Sequence, residues 1–492
     1  MDDISNQYLV SGFWEIYTCL SKEEAGEFAG FIESGAFSKN RQLNALVNTF
    51  LRMHKKKVVL SRELIYEETF PGKKYNQQLF NNYVSELKKL LQKFLEIRWM
   101  ESRPQLKQLA LAESYLKMGL LSRYEKSNPT EKVQILIQST QDEMFYAFRL
   151  QSLKDEFLAT QSKKRRYDLL EPALFYFREY YFLETMRMYC ELINRKNLRS
   201  QDFSEADMHL FLQYFHDFKK LNQISPLLEL YFMVISFLKD IDDEFAYDRY
   251  KELLVEHISS LPPKIARELS LFGQNQCVKH INLSHEKYLK ELFDLYNLML
   301  NQNIIYDGPY MTQYTFKNYV TVALRLKAFD EAIQFVETSY LRLLPDQRSN
   351  ALHYNLAAIY FEKNDFEKAM DELNQIQISD PVYYLDSRSI LLKIYFEDAD
   401  LDALNSLYHS VRAYLLRSRK FPKKQADLYR YLFLYTNKLA QLMLKKQFLG
   451  KKEFQIQLQL LEQKVKIATI ANKTWLLGKI EQEQSGQAAF LK

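Results

Sequence analysis

Glycine and proline are scarce in this chain, with 11 of each among 492 residues, against globular averages of roughly 7% and 5%. Both punctuate turns and break regular structure, so their scarcity points to long helices joined by short connections. Cysteine is rarer still. Cys19, Cys190 and Cys277 are odd in number and widely spaced, which excludes a disulfide framework or a cysteine metal cluster and fits a reducing compartment. No stretch approaches 18 uncharged apolar residues, so no membrane span is expected. The opening "MDDISNQYLV" has neither a basic n-region nor an apolar h-region, and secretion is not expected. Charge of one sign is also lacking: the net value of +5 is far below that of most nucleic-acid-binding domains. A soluble, cytoplasmic protein is the expectation.

Catalytic signatures are missing too. "FPGKKY" has two lysines but not the spacing of a phosphate loop, and GxSxG, HExxH, CxxC and GxGxxG do not occur. His280 and His285 in "KHINLSH" stand five apart, which puts them on different faces of a continuous helix. "KDIDDEF" (239–245) lacks the glycine and terminal glutamate of a calcium loop and reads as a turn with helix-capping aspartates. Cys190 and Cys277 have no activating arrangement in the sequence and read as buried thiols. No catalytic residue, metal or cofactor is assigned, and an enzyme would have to rest on scattered residues converging in a deep pocket.

What the chain does have is helical patterning. Hydrophobic residues make up 47%, including 34 Phe and 34 Tyr, enough for a folded, largely aromatic core. Ser21 with Glu24 predicts a capping box before "EEAGEFAGFIES". Leu43, Leu46, Val47 and Phe50 recur at helical spacing, and Leu79, Tyr83, Leu87, Leu90, Leu91 and Leu95 predict one stripe on a long helix. From Gln105 to about Asn301, successive helical segments are separated only by Ser, Asn, Asp and Pro, as in arrays of helix pairs. The chain divides into an N-terminal helical domain (1–103), a helical-hairpin array (104–310), a repeat region with capping helices (311–484) and a tail (485–492). The last helices run through "FQIQLQLLEQKVKIATIANKTWLLGKI", where "EQKVKIA" predicts the polar outer face of a cap, and Asn472 the start of a helix carrying Trp475.

In "NLAAIYFEKNDFEKAMDELNQIQISDP" (355–381) the residues Leu356, Ala357, Tyr360, Phe366, Ala369 and Pro381 are spaced as in a helix–turn–helix unit, with Asp365 placed to cap the second helix. Phe316, Ala323, Phe329 and Ala332 align 37 residues earlier, and Leu391, Tyr395 and Leu401 about 35 residues later, with Leu404 where alanine is expected. This pattern resembles the tetratricopeptide repeat, with His353 in place of the usual tryptophan and Ile376 in place of the second alanine. The resemblance covers roughly 313–420. It implies an all-α fold, an α-solenoid of stacked hairpins following an N-terminal helical domain, with an extended concave surface lined by the first helix of each unit. It also implies that Tyr314, Lys317 and Thr321, then Tyr354, Ala358 and Phe361, then Ser389 and Lys393 face that groove. Mixed lysines and aromatics suit a partly acidic, partly apolar peptide of a protein partner. The leading expectation is a non-enzymatic scaffold or adaptor.

Nucleic acid is the second class of partner. The helix–turn–helix order around residues 40–98 resembles winged-helix domains of bacterial transcription regulators, although "ESRPQLKQLALAES" reads as helix where a wing hairpin belongs. Residues 401–455 hold twelve Lys or Arg, among them Arg412, Arg417, Arg419, Lys420, Lys423 and Lys424, against three acids. Tyr429, Tyr431 and Tyr435 lie among them, as stacking on RNA requires. The competing account has these cations solvating outer faces while the tyrosines pack inside. "SKKRRYD" (162–168) reads as a solvated loop.

Overall fold

A computed structural model describes residues 12–37, 40–56, 60–127, 141–161, 170–199, 205–376, 381–417 and 423–485. Among these there are twenty-three α-helices and no strand. The chain forms two compact units, Met1–Glu184 and Thr185–Lys492. The boundaries expected at 103/104 and 310/311 coincide with breaks between helices inside these units.

The first unit begins with α1 (Gly12–Tyr17), α2 (Lys22–Glu33), α3 (Arg41–Lys56), α4 (Arg62–Thr69) and α5 (Gln77–Glu101). They share an aromatic core containing Phe13, Tyr17, Phe28 and Phe50. Ser21 accepts from the Glu24 amide and Glu24 from the Ser21 amide, closing the capping box that starts α2. In α5 the buried face is Phe80, Val84, Leu87, Leu90, Leu91 and Phe94. Leu79, Tyr83 and Leu95 are only its edge, so the stripe is rotated toward the larger phenylalanines. Next come α6 (Pro104–Lys117), α7 (Leu121–Ser127) and α8 (Gln141–Gln161), and α9 (Leu170–Arg199) contains the division between units. Because α6 opens three residues after α5 ends, the segment where a winged helix would carry its wing hairpin is helix, as its sequence reads. The 162–168 segment lies outside the described residues.

The second unit continues through α10 (Ala206–Leu221) into five antiparallel pairs. They are α11 (Pro226–Lys239) with α12 (Glu244–His257), α13 (Pro263–Asn282) with α14 (Lys287–Asn301), α15 (Gln313–Arg325) with α16 (Phe329–Ser339), α17 (Arg348–Glu362) with α18 (Phe366–Asn374), and α19 (Pro381–Glu397) with α20 (Leu401–Arg417). The chain ends in α21 (Lys423–Leu444), α22 (Lys451–Ile467) and α23 (Lys473–Gln484). First helices also pack on the next first helix: α11 on α13, α15 on α17, α17 on α19, and α19 on α21.

The last three pairs are closed by one backbone device. Lys327, Asn364 and Ala399 each take a left-handed conformation, with φ of 57°, 59° and 57°. Each following residue donates its N–H to the carbonyl five positions back, to Ala323, Tyr360 and Tyr395, at 2.9 Å. This is the six-to-one bond of a Schellman turn. Asp365 then caps α18 by accepting from the Lys368 amide. Ala323, Ala332, Ala357 and Ala369 are fully buried at the contacts their small size permits, as is Leu404. A left-handed alanine carries a backbone penalty of about 1–2 kcal/mol that glycine does not. Ala399→Gly is therefore expected to raise stability by about 1 kcal/mol, read as a higher urea midpoint at unchanged slope.

Candidate functional site

Helical periodicity builds one wall of side chains on each of three first helices. Lys317, Val320, Thr321 and Leu324 follow one another along α15, Tyr354, Ala358 and Phe361 along α17, and Asp386, Ser389 and Lys393 along α19. Within each set the residues are related by three or four positions to a neighbour one turn away, and so occupy one face. Together they enclose a cavity of about 360 Å³, closed by Asn472 at the start of α23. Seven of the eight residues assigned to a groove from the sequence line this one space. The eighth, Tyr314, does not: it stands 70% exposed, outside it.

The charges inside are already partly matched. Asp386 accepts from Lys317 Nζ at 2.5 Å and from the Tyr429 hydroxyl at 2.7 Å, tying α15 and α21 to α19. Burial raises the Tyr429 phenol far above its ordinary value, and the Asp386 charge adds to this. The Tyr354 phenol is raised for the same two reasons, while Lys317 Nζ lies 5.1 Å from the Tyr354 ring centre.

Lys393 differs. It is buried, and its ammonium donates to the neutral Asn472 Oδ1 at 3.1 Å. Among the described residues it forms no ion pair. The rings of Phe361 and Trp475 lie 5.4 and 5.6 Å away, a cation–π environment. Burial lowers its pKa, and Glu362, Glu397 and Asp386 offset part of that shift. Asn472 stands at the start of the Trp475 helix, as expected, with φ of 51°; its side chain makes no cap bond and its amide oxygen is used on Lys393 instead. The arrangement can hold an anionic or amide-bearing group against aromatic walls. Among the described residues lining it, no nucleophile is paired with a base.

Asp386, Tyr429 and Asn472 were not assigned to the site from the sequence. Asp386 could have been: it precedes Ser389 by three and Lys393 by seven. Tyr429 bonds Asp386 from 43 residues further along and Asn472 reaches the cavity 79 residues beyond Lys393, and no local spacing signals that.

The remaining candidates lie elsewhere. His280 and His285 come together, Nδ1 to Nδ1 at 3.0 Å, contrary to the different faces expected. The reason is that α13 ends at Asn282 and Ser284 turns left-handed with φ of 68°, folding His285 back. No third ligand joins them: among the described residues there is no group of three His, Cys, Asp or Glu able to hold a metal. In the acidic run, Asp243 caps α12 by accepting from the Ala246 amide. Cys190 and Cys277 are fully buried, and burial pushes the Cys277 thiol up to about 12, which removes thiolate reactivity near neutral pH.

Of the basic patch, Arg412 and Arg417 are exposed on α20. Arg419, Lys420 and the side chains of Lys423 and Lys424 lie outside the described residues. Tyr429 is buried, and Tyr431 and Tyr435 stack on each other at 5.8 Å while packing against the C-terminal core. No described helix is long and apolar enough to cross a membrane. Compared with protein-family models, with curated proteins and with solved structures, this chain finds no match.

Proposed function

We propose that the second unit is a tetratricopeptide-like α-solenoid that holds a segment of a protein partner along α15, α17 and α19, and that the chain works as a cytoplasmic scaffold or adaptor rather than an enzyme. The observation that carries this reading is the convergence on one cavity of groove-facing positions from three first helices, around a buried lysine without a carboxylate partner. The three Schellman turns, spaced by 37 and 35 residues, support the repeat half of the reading. Aromatic walls supply burial and the lysine supplies selectivity for an acidic or amide group, the division of labour usual in peptide grooves.

Thr321 is exposed on the cavity wall, and among the described residues its hydroxyl bonds only to its own helix, at the Lys317 carbonyl. Thr321→Tyr therefore fills the space without stranding a buried charge. Affinity purification from native lysate, with and without nuclease, is expected to recover a nuclease-resistant protein with wild type. The peptide mapped from that protein should bind Thr321→Tyr at least about tenfold more weakly, a loss near 1.4 kcal/mol, at an unchanged melting curve. Nuclease-sensitive recovery that ignores Thr321→Tyr would refute groove binding and turn attention to Arg412 and Arg417.

A further inference from the structure

Two surfaces on the second unit that no described residue covers complement each other. The first lies between α12 and α14, second helices of consecutive pairs, and so is separate from the cavity lined by first helices. It is a groove of about 740 Å³ whose apolar lining includes Leu254, Leu295 and Val255, the last 63% exposed. Four carboxylates border it, Glu252 and Glu256 from α12 and Glu291 and Asp294 from α14. Its one lining lysine, Lys251, is held by Asp248 at 3.1 Å and Glu291 at 2.8 Å. Arg249 and Lys290 engage Glu252 and Asp294 from outside the lining. Five acids against three cations leave this face negative.

The second surface is α22. Its inner face, Phe454, Leu458, Leu461 and Val465, is buried. The outer face was expected to be a polar cap, and Gln463, Lys464 and Lys466 meet that expectation. Ile456 and Leu460, however, are about half exposed and Ile467 is 86% exposed. Lys452, Ile456, Leu460, Lys464 and Ile467 succeed one another by three or four residues and form a single apolar stripe punctuated by lysines. Neither Lys452 nor Lys464 has an ion-pair partner among the described residues, whereas Lys466 is paired with Glu462. At 1.5 Å per residue, α22 is about 25 Å long and the groove helices about 21 Å.

We propose that the groove between α12 and α14 receives the exposed face of α22 from a second copy of this chain, head to tail. Apolar floor meets apolar stripe, and acidic rim meets lysines. Because the two surfaces differ, each docked copy leaves one groove and one α22 free, so association continues into open chains or closed rings rather than stopping at a dimer. One helix in one groove is a small interface, so assembly is weak and sensitive to salt.

Sedimentation velocity of the full chain tests this. Wild type is expected to show a sedimentation coefficient that rises with concentration and falls back in high salt. Glu252→Arg/Glu256→Arg blocks only the groove, and Ile456→Ser/Leu460→Ser blanks only the helix; all four positions are exposed. Each variant alone should remain monomeric. An equimolar mixture retains one working groove and one working helix, so it should form one-to-one dimers, twice the monomer mass, that grow no further. Wild type that stays monomeric at every concentration in low salt overturns the proposal. So does assembly that survives in either variant, or a mixture that yields no capped dimer.

Discussion

Replacing Lys479 with methionine is expected to destabilise the second unit by about 3–5 kcal/mol. Lys479 Nζ lies 2.6 Å from Glu397 Oε2, with the two side chains only 12% and 5% exposed. The other carboxylate oxygen accepts from Trp475 Nε1 at 3.3 Å. Without Lys479 the Glu397 charge is left inside the protein with that indole and the more distant Lys393 field. The loss therefore measures an uncompensated buried carboxylate more than the worth of the pair itself. A second substitution separates the two: Lys479→Met with Glu397→Leu removes both charges and should recover most of the loss. Trp475 is the only tryptophan beyond residue 184, and it touches the pair, so urea unfolding followed by its fluorescence reads the effect where it arises. A single-variant loss below about 1 kcal/mol would mean that water reaches Glu397 freely.

Gly273→Ala is expected to cost about 2 kcal/mol, while Gly478→Ala gains roughly 0.5–1 kcal/mol. Both glycines lie within helices, where alanine is intrinsically preferred. At Gly478 an added Cβ meets nothing within 4 Å. At Gly273 it would stand 2.6 Å from the Tyr250 hydroxyl, 2.9 Å from Cε1 and 3.1 Å from Cζ. The ring has little room to retreat, because Tyr250 is fully buried, packs edge-on against Phe237 and donates to the Leu269 carbonyl at 2.8 Å. Overpacking and disturbance of a buried hydrogen bond therefore outweigh the gain in helix propensity. Tyr250→Phe in the Gly273→Ala background removes the closest contact and should restore part of the loss. Thermal unfolding of the three variants checks the sign of each effect.

Much of the helical layout could be read from the chain because it depends on neighbours in sequence. The capping box at Ser21, the cap at Asp365 and the small residues at 357 and 369 all act within one hairpin. The positions assigned to a groove on α15, α17 and α19 are those the tetratricopeptide resemblance implies, and helical spacing keeps each set on one face. Periodicity fixes a face once the helix is known. It fails in α5, where Leu79 and Tyr83 have the same helical spacing as the buried Phe80 and Val84, and only packing decides between two adjacent stripes. It does not reach His285, because α13 stops at Asn282 and the helical spacing no longer applies. It could not find Asn472 or Tyr429, whose roles come from segments folded back over distant helices. Nor could it show that the outer face of α22 leaves Ile456 and Leu460 uncovered, since an amphipathic pattern records which side is apolar and not how wide the covering neighbour is.

The carboxylate of Asp386 gives the cavity a resident competitor. On the proposed function, an incoming acidic group must displace it from Lys317 before gaining that ammonium, so small ions meet a cation already satisfied there. A longer segment that fills the aromatic walls brings enough additional contact to make the exchange favourable. Under the proposed peptide-holding role, Asp386 keeps Lys317 quiet toward stray anions and leaves Lys393, which pairs with no carboxylate among the described residues, as the ammonium an incoming segment meets first.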